Sequence, residues 1–277
     1  MFEYLSHEVK LCISIAKYPG LIGFNLHNYG YYLNKLDYLY LPLQVDNLNE
    51  ILVAARNFKV IGMSVSMPYK NEILKYIDVI EEKAKKIEAV NTILFRNNQL
   101  YGFNTDYDSV RINLKSINKN NLSKVLILGH GGMARVFREA LCDLGSSEIY
   151  YWSRTENKEF SKKAIFIGSN GVNKFTNVHT LINATPMGMK GIPNIINLDS
   201  YKKLTTVIDS VSRPIETKLI IDAKKKGLDT IFGAQLAFDQ FLRQFSIYTQ
   251  TDLPRSEIKK YYEKLIGTEI KWNQMGF

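Results

Sequence analysis

The feature of this sequence that most constrains its fold is a short apolar run that leads directly into a glycine-rich turn. The run, Val125–Leu128, is typical of a parallel strand covered on both faces. The turn that follows consists of Gly129, His130, Gly131, Gly132, Met133 and Ala134. Apolar residues then recur at helical spacing as far as Gly145, which supplies a helix stop. This order of strand, turn and helix is the context that a dinucleotide-binding fingerprint requires.

The small residues of the turn have separate roles in a cofactor site. Gly129 permits the tight turn, and Gly131 lets the backbone approach a pyrophosphate closely. Ala134 is small enough for the helix and the strand to pack together. The pyrophosphate then lies at the helix N-terminus, where amide groups and the helix dipole favour an anion. The alternative is an ordinary glycine-rich connection between a strand and a helix.

The choice between NAD and NADP is made about 20 residues further on, where a second predicted strand, Ile149–Trp152, ends. An NAD-dependent enzyme places Asp or Glu here to bind the ribose. This chain instead has four residues suited to a 2′-phosphate, two cationic and two hydroxyl-bearing: Arg154, Lys158, Ser153 and Thr155. Glu156 is discordant, and we expect it to face solvent. The segment therefore predicts NADP, with a solvated basic loop as the alternative.

The rest of the second half continues the alternation of short apolar runs with helix-length or loop-length segments. Further strands are predicted at Ala164–Ile167, Thr180–Ala184, Thr205–Asp209 and Thr230–Phe232. The pattern predicts an α/β fold with a Rossmann-type, doubly wound parallel sheet. Because ligands bind at the carboxyl edge of such a sheet, we expect the cofactor to meet the residues at and just past the end of the second of these runs, namely Asn183, Ala184 and Thr185.

The first half of the chain also alternates between strand and helix patterns. Strands are predicted at Lys10–Ile15, Asp37–Gln44 and Val60–Val65, helices at Phe24–Leu36, Leu48–Phe58 and Asn71–Glu88, and a hairpin around Asn97-Asn98. These elements predict a substrate-binding α/β domain over residues 1–105, completed by C-terminal helices in residues 240–277. Residues 106–239 are predicted to form the NADP-binding domain.

Composition excludes several classes of protein. Of the 277 residues, 45% are apolar, which is enough for one or two cores, and the net charge of +9 is spread along the chain rather than gathered into a nucleic-acid-binding stripe. No apolar run reaches the roughly 18 residues of a membrane helix, and the N-terminus lacks the pattern of a signal peptide. Neither the two cysteines nor the four histidines have metal-ligand spacing. We expect a cytoplasmic monomer or homodimer that acts on a small molecule, without a metal, membrane or nucleic-acid partner.

Three polar clusters in the first half lie where predicted strands begin or end. They are Ser64–Lys70, Asn91–Thr92 and Asn104–Asp106. Because each lies at a strand end, we expect the three to converge on one cleft. A lysine ammonium group in that cleft can stabilise the alkoxide that develops when a secondary alcohol is oxidised, and it can transfer the proton.

Six motifs, in this order, make the chain resemble the shikimate dehydrogenase family. They are Val65–Lys70 (VSMPYK), Val90–Thr92 (VNT), Asn104–Asp106 (NTD), Gly129–Ala134 (GHGGMA), Ser153–Lys158 (SRTENK) and Asn183–Met189 (NATPMGM). The resemblance extends over nearly the whole chain. It implies reversible hydride transfer between NADP and shikimate or a related cyclic polyol, with 3-dehydroshikimate as the ketone of the shikimate pair.

The resemblance also implies roles for individual residues. Lys70 and Asp106 match the catalytic pair of the family. The residues that match hydrogen-bonding partners of the substrate ring hydroxyls are Asn91, Asp106 and Gln240, and Ser66 stands where the family usually has Thr. Two further residues fall where the nicotinamide end of the cofactor is held, namely Val211 and Gly233.

One part of the family pattern is missing. The family has Ser-x-Ser-Pro shortly before a His-Asn pair, and these serines hold the substrate carboxylate. Aligned on His27-Asn28, this chain has no serine in Gly20–Phe24, and a tyrosine that also contacts the carboxylate is missing from Asp209–Pro214. Each lost charge-assisted hydrogen bond costs roughly 1.5–3 kcal/mol, so that several losses lower kcat/KM by orders of magnitude. The chain therefore most resembles the shikimate dehydrogenase-like branch, and we expect weak turnover of shikimate itself.

Two alternatives stay open at this stage. Ser14 or Arg213 can supply a replacement contact, in which case the chain is a genuine shikimate dehydrogenase of the chorismate pathway to aromatic amino acids, with an altered carboxylate pocket. The alternative of another class is a non-catalytic NADP-binding sensor. A sensor, however, has no need of the proton shuttle that Lys70 and Asp106 imply.

Overall fold

The computed structural model describes residues 5–169 and 171–268. Within these residues the chain divides into two compact units. The first contains residues 5–105 together with 240–268, and the second contains residues 106–239. The last part of the predicted C-terminal helices, residues 269–277, lies outside the described residues.

The first unit is built on a mixed six-stranded sheet. Its strands are β1 (Lys10–Ala16), β2 (Tyr38–Gln44), β3 (Gly62–Val65), β4 (Val79–Ile80), β5 (Thr92–Arg96) and β6 (Gln99–Phe103). Their order across the sheet is β2-β1-β3-β5-β6-β4. The pairs of β1 with β2 and with β3 are parallel, whereas β5 is antiparallel to both β3 and β6. Strands β1 and β3 therefore end at the same edge of the sheet.

Two helices of the first half, α1 (Ile22–Leu33) and α2 (Leu48–Asn57), follow β1 and β2. Helix α2 begins at Asn47, whose side-chain oxygen accepts hydrogen bonds from the backbone amides of the first turn. Its apolar face joins the core formed by the buried side chains of one face of the sheet: Ile13, Ile15, Met63 and Val65. Because side chains alternate along a strand, Cys12 and Ser14 lie on the opposite face.

The single helix predicted over Asn71–Glu88 is wrong. The structure has a 3₁₀ helix at Glu72–Tyr76, then β4, then the short helix α3 (Glu82–Ile87). The chain leaves the helical path because Asp78 pairs with Leu100: its backbone amide donates to the Leu100 carbonyl at 3.1 Å, and its carboxylate accepts from the Leu100 amide at 2.7 Å. Sheet pairing with β6 therefore outweighs the local helical pattern.

The second unit contains the predicted parallel sheet. Helix α4 (Thr105–Lys115) leads into β7 (Lys124–Leu128), α5 (Gly132–Asp143), β8 (Glu148–Trp152), α6 (Lys158–Ser161), β9 (Ile165–Phe166), β10 (Thr180–Asn183), β11 (Thr206–Asp209), α7 (Lys218–Lys225) and β12 (Asp229–Phe232). The strand order is β12-β11-β10-β7-β8-β9, and every pair is parallel. The connections are more irregular than the sequence pattern suggests, since the only helix among the described residues between β9 and β11 is a 3₁₀ helix at Leu198–Ser200.

Two helices close the described chain, α8 (Gly233–Thr249) and α9 (Arg255–Ile266). The part of α8 from Gln240 and the whole of α9 belong to the first unit. Gly30 of α1 allows this packing, because a Cβ atom there would lie 2.8 Å from the ring of Phe245. Tyr261 of α9 stacks on Tyr29 of α1, with ring centroids 3.8 Å apart. None of the helices in residues 5–169 and 171–268 is both long and apolar enough to cross a membrane.

Candidate active site

A buried hydrogen-bond network in the first unit is centred on Asn91. Its Oδ1 atom accepts from the Thr105 amide at 2.8 Å, from the Thr105 hydroxyl at 3.1 Å and from the Thr92 hydroxyl at 2.9 Å. All three residues are at most 3% exposed. Because the amide oxygen is held by these donors, the Nδ2 group of Asn91 is turned away from them, where it can donate to a ligand.

Two glutamines one turn apart on α8 contact the same network. The Nε2 atom of Gln240 donates to the Thr105 hydroxyl at 3.0 Å, and that of Gln244 donates to the Thr92 hydroxyl at 2.8 Å. Their spacing of four residues places both side chains on one face of the helix. The structure thus brings the predicted substrate ligands Asn91 and Gln240 together.

His27 completes this network from α1. Its Nε2 atom lies 3.1 Å from Oε1 of Gln244, and since that oxygen can only accept, we assign the ring proton to Nε2. The hydroxyl of Tyr31 then donates to Nδ1 at 3.4 Å. Burial lowers the pKa of His27 to about 3, against a weaker opposing effect of the Gln244 hydrogen bond. The ring is therefore neutral near neutral pH, and it fixes the orientation of Gln244.

The buried His27 makes stability depend on pH. Below pH 6.5, its ordinary pKa, His27 is protonated in the unfolded chain, whereas in the folded chain it stays neutral down to about pH 3. The free energy of unfolding therefore decreases as the pH falls from about 6.5 to about 3. We expect a loss of about 1.4 kcal/mol per pH unit from this group. Urea unfolding at about pH 7 and about pH 5 should therefore show about 2 kcal/mol less acid destabilisation in His27→Phe than in the unaltered protein. Equal acid sensitivity of the two proteins would contradict the assignment of a neutral buried imidazole.

The predicted catalytic Lys70 lies in a segment that is tied to the same region. Its carbonyl accepts from the Val90 amide at 2.9 Å, and the Asn91 carbonyl accepts from the Val65 amide at 2.8 Å. The Lys70 side chain is half-buried, whereas Ser66, at the carboxyl end of β3, is exposed. Asp106 is the second residue of α4, directly after Thr105, and is also half-buried.

The glycine turn of the second unit has the local geometry of an anion site. Gly129 has φ of +98°, and a Cβ atom there would lie 3.0 Å from the Thr185 side chain. Helix α5 begins after Gly131, the N-cap residue, which has no side chain to bond the amides of the first turn. No acidic residue lies in that first turn. Gly131 and Gly132 are exposed and Ala134 is completely buried, so the start of the helix is open to solvent while the helix packs closely on the sheet.

The predicted 2′-phosphate segment is mostly exposed. Arg154, Thr155 and Lys158 lie on the surface, whereas Ser153 is buried and donates its hydroxyl proton to the Thr155 carbonyl. Glu156 is exposed and accepts a hydrogen bond from Ser161 of α6 at 3.0 Å. In this arrangement the charged and donor groups that can meet a phosphate are those of Arg154, Thr155 and Lys158.

Asn183 and Asp209 organise the loops that follow β10 and β11. The Nδ2 atom of Asn183 donates to Oδ1 of Asp209 at 2.9 Å, and its oxygen accepts from the Thr185 amide and hydroxyl. Asp209 also accepts from the Val211 amide at 3.0 Å and from the Thr217 hydroxyl at 2.6 Å. Burial raises the pKa of Asp209, opposed by these hydrogen bonds. The internal bonds of Asn183 give it a positioning role and leave Ala184 and Thr185, both half-buried, nearer the surface.

The last predicted cofactor residues, Val211 and Gly233, are buried side by side. A Cβ atom at Gly233 would lie only 2.3 Å from the Val211 carbonyl oxygen, so only glycine allows this approach. Gly233 begins α8 directly after β12. Arg213, the possible replacement ligand, is exposed in the loop after Val211.

Sequence reasoning selected Asn91 and Gln240 but missed Gln244, and it used His27 only to align the chain. The spacing of four residues between the two glutamines on a predicted helix was the signal that could have found Gln244. No comparable signal marked His27, because its partner lies 217 residues away in the chain. Among the described residues, no group of three or more His, Cys, Asp or Glu side chains is placed to hold a metal ion.

The fold and the glycine turn define a Rossmann-type α/β protein with a dinucleotide-binding unit. A family model described as the shikimate dehydrogenase substrate binding domain matches residues 22–93. The shikimate dehydrogenase (NADP(+)) of Maridesulfovibrio salexigens is 31% identical over 246 residues, which cover 85% of this chain and 89% of the relative. A shikimate dehydrogenase-like protein of Haemophilus influenzae is 30% identical, covering 88% of this chain and 92% of the relative. The chain belongs to the shikimate dehydrogenase family.

Solved structures show the same architecture. The ligand-free 5-ketofructose reductase of a Gluconobacter species superposes with a TM-score of 0.82 at 25% identity, covering 94% of this chain and all of that one. The fold is therefore shared with a protein named 5-ketofructose reductase.

Proposed function

We propose that this protein is an NADP-dependent oxidoreductase that transfers a hydride reversibly between NADP and a polyhydroxylated cyclic alcohol, shikimate or a relative of it. The observation that carries the proposal is the Asn91 network, which holds one amide oxygen with three donors and so presents the Nδ2 group to a ligand. Family membership supports the reaction type, because relatives of similar length are named shikimate dehydrogenase (NADP(+)).

In this proposal NADP, when bound, supplies or accepts the hydride. The ammonium group of Lys70 stabilises the charge that develops on the reacting oxygen and moves its proton, with Asp106 as its partner. Asn91 and Gln240 donate to hydroxyl groups of the substrate and orient the ring. Ser66, exposed at the end of β3, adds a further hydroxyl contact.

The two units divide this work between them. The unit formed by residues 5–105 and the C-terminal helices carries the Asn91 network and is proposed to bind substrate. The unit of residues 106–239 is proposed to bind NADP through the glycine turn, the segment after β8, and the loops that contain Thr185, Val211 and Gly233. We further propose that the protein works in the cytoplasm, as a monomer or homodimer.

The proposal is tested by following NADPH oxidation with a panel of ketones. The panel contains 3-dehydroshikimate, 3-dehydroquinate and uncharged polyhydroxylated ketones. Reduction of at least one panel member, with weak turnover of 3-dehydroshikimate, supports the proposal and the dehydrogenase-like branch. Strong and selective turnover of 3-dehydroshikimate would identify a genuine shikimate dehydrogenase with an altered carboxylate pocket. Tight NADPH binding without any turnover would instead identify an NADP-binding sensor.

The choice of cofactor gives a separate prediction. We expect Arg154→Ala to lower kcat/KM for NADPH by about 10- to 100-fold, the value of one charge-assisted hydrogen bond of roughly 1.5–3 kcal/mol, and to leave kcat/KM for NADH nearly unchanged. Steady-state kinetics with both cofactors measures the ratio. Lys162→Ala is the matched control, because Lys162 is an exposed cation that pairs with Glu159 on α6. A parallel loss with NADPH and NADH would show that Arg154 does not read the 2′-phosphate.

A further inference from the structure

A continuous chain of hydrogen bonds in the first unit runs from His27 through Gln244 and Thr92 to Asn91. The His27 ring nitrogen Nε2 lies 3.1 Å from Oε1 of Gln244. The Nε2 atom of Gln244 lies 2.8 Å from the Thr92 hydroxyl, which in turn lies 2.9 Å from Oδ1 of Asn91. All four side chains are at most 3% exposed. Because a buried polar atom without a partner is costly, the orientation of each group constrains the next.

Two backbone groups determine how the side-chain amides of this chain are oriented. The Oδ1 atom of Asn91 accepts from the Thr105 amide at 2.8 Å, and a backbone amide can only donate. The Gln244 side chain lies 3.5 Å from the Asn91 carbonyl oxygen, which can only accept. The NH₂ group of Gln244 therefore faces Asn91 and Thr92, which leaves Oε1 for the His27 ring. Reversing either amide would place two donors or two acceptors against each other.

The Thr92 hydroxyl carries one proton, and its neighbours decide where that proton points. The hydroxyl accepts from Gln244, and it lies 2.9 Å from Oδ1 of Asn91 and 3.1 Å from the Thr105 hydroxyl. The Thr105 hydroxyl already accepts from Gln240 at 3.0 Å, and it lies 3.1 Å from the same Asn91 oxygen. Thr92 therefore donates to the nearer acceptor, Asn91. All the protons of the network point toward the Asn91 oxygen.

This direction has a consequence for the other end of the Asn91 amide. Its oxygen is occupied by donors, and in residues 5–169 and 171–268 its Nδ2 group makes no hydrogen bond. An NH₂ group held in this way offers protons to a ligand and repels another donor. His27 and Gln244 act on this group through Thr92, and the proposed mechanism has so far given neither of them a role.

We propose that His27 and Gln244 are positioning residues for substrate binding, which hold the Asn91 amide in its donating orientation through the Thr92 hydroxyl. The inference rests on the proposed function, in which Asn91 donates to a hydroxyl group of the substrate. It adds to that function the two residues that determine which end of the Asn91 amide meets the substrate.

The kinetic test changes the protons of the chain and keeps its shape. Gln244→Glu keeps an acceptor for His27 but, when ionised, has no proton for Thr92. Thr92→Val removes the hydroxyl, and Thr92→Ser restores it. With the ketone of the panel that is reduced fastest, we expect Gln244→Glu and Thr92→Val each to raise KM by about 10-fold, the value of one hydrogen bond. Because Asn91 is proposed to bind a ring hydroxyl rather than the reacting oxygen, kcat should stay nearly unchanged. Thr92→Ser should restore KM.

A matched control separates this role from a general loss of stability. Thr180→Val removes the hydroxyl of another completely buried strand threonine, which bonds the Asn121 carbonyl at 2.7 Å in the other unit, and it should leave KM unchanged. Urea unfolding checks that each variant folds. A buried carboxylate is costly, so Thr92→Val, which adds no charge, decides the test if Gln244→Glu does not fold. An unchanged KM in Thr92→Val, a loss confined to kcat, or a KM that Thr92→Ser does not restore overturns the positioning role and leaves the proposed reaction intact.

A measurement without turnover tests the proton directions themselves. Long-range proton–nitrogen correlation spectra of the isotope-labelled protein report which ring nitrogen of His27 carries the proton. We expect the proton on Nε2, and we expect Thr92→Val, but not Thr180→Val, to shift the side-chain amide signals of Asn91. A proton on Nδ1 instead, or unshifted Asn91 signals, overturns the inference. If no ketone of the panel is reduced, the proposed function fails, and these spectra still decide the orientation of the network.

Discussion

We expect the Lys70→Ala variant to lose about 1,000-fold in kcat, within the roughly 10²–10⁴-fold range of general acid–base catalysis. The loss has a simple physical origin. Without the ammonium group, no positive charge stabilises the developing alkoxide and no group transfers its proton. NADPH affinity should change little, because the glycine turn belongs to the other unit. Stopped-flow measurement of NADPH oxidation at saturating ketone separates this chemical step from binding.

Two further variants make this prediction sharp. Lys75→Ala removes an exposed lysine from the 3₁₀ helix that follows Lys70, and it should retain full activity. Lys70→Arg keeps a positive charge but cannot release a proton near neutral pH, so its kcat should remain low. If Lys70→Ala keeps more than about a tenth of the activity, the proton-transfer role assigned to this residue is wrong.

The second large effect is expected for Gly131→Val. The protein itself has room for the new side chain, because no atom lies within 4 Å of a Cβ atom built on Gly131. A bound pyrophosphate, however, would occupy the space in front of the amides that begin α5. Losing two charge-assisted hydrogen bonds of roughly 1.5 kcal/mol each weakens NADPH binding by about 100-fold. Fluorescence titration with NADPH measures the dissociation constant directly.

The free energy of unfolding of Gly131→Val distinguishes a loss of NADPH contacts from misfolding. Valine is a poorer helix N-cap than glycine, so we expect a decrease of about 1 kcal/mol in the free energy of unfolding of Gly131→Val. Gly20→Val is the matched control, since Gly20 also has nothing within 4 Å of a Cβ atom and lies in the other unit. It should leave NADPH affinity unchanged. Unaltered NADPH affinity in Gly131→Val would show that the cofactor does not lie against this turn.

Local patterns predicted elements well where a single physical requirement dominated. The hairpin around Asn97-Asn98 is an example, because both residues adopt positive φ, of 51° and 60°, which asparagine tolerates better than most residues. The glycine turn before α5 is another, since its backbone demands are local. The segment Asn71–Glu88 failed for the opposite reason: its helical pattern competed with pairing of Asp78 against Leu100, more than 20 residues away.

The candidate site likewise contains residues that local sequence patterns predicted and contacts that they did not. Ordered motifs at strand ends selected Asn91 and Lys70, and the resemblance to the family selected Gln240. They did not show that the Asn91 oxygen is held by Thr92 and Thr105.

The sequence by itself therefore determined the parallel sheet, the glycine turn and the family. Each of these depends on residue spacing along a short stretch of chain, where period and turn chemistry act locally. Only the tertiary structure decided how His27 reaches Gln244 and how Asp209 ties together the loops after β10 and β11. These contacts join residues far apart in the chain, and their geometry depends on strand register and helix packing, which no local pattern encodes.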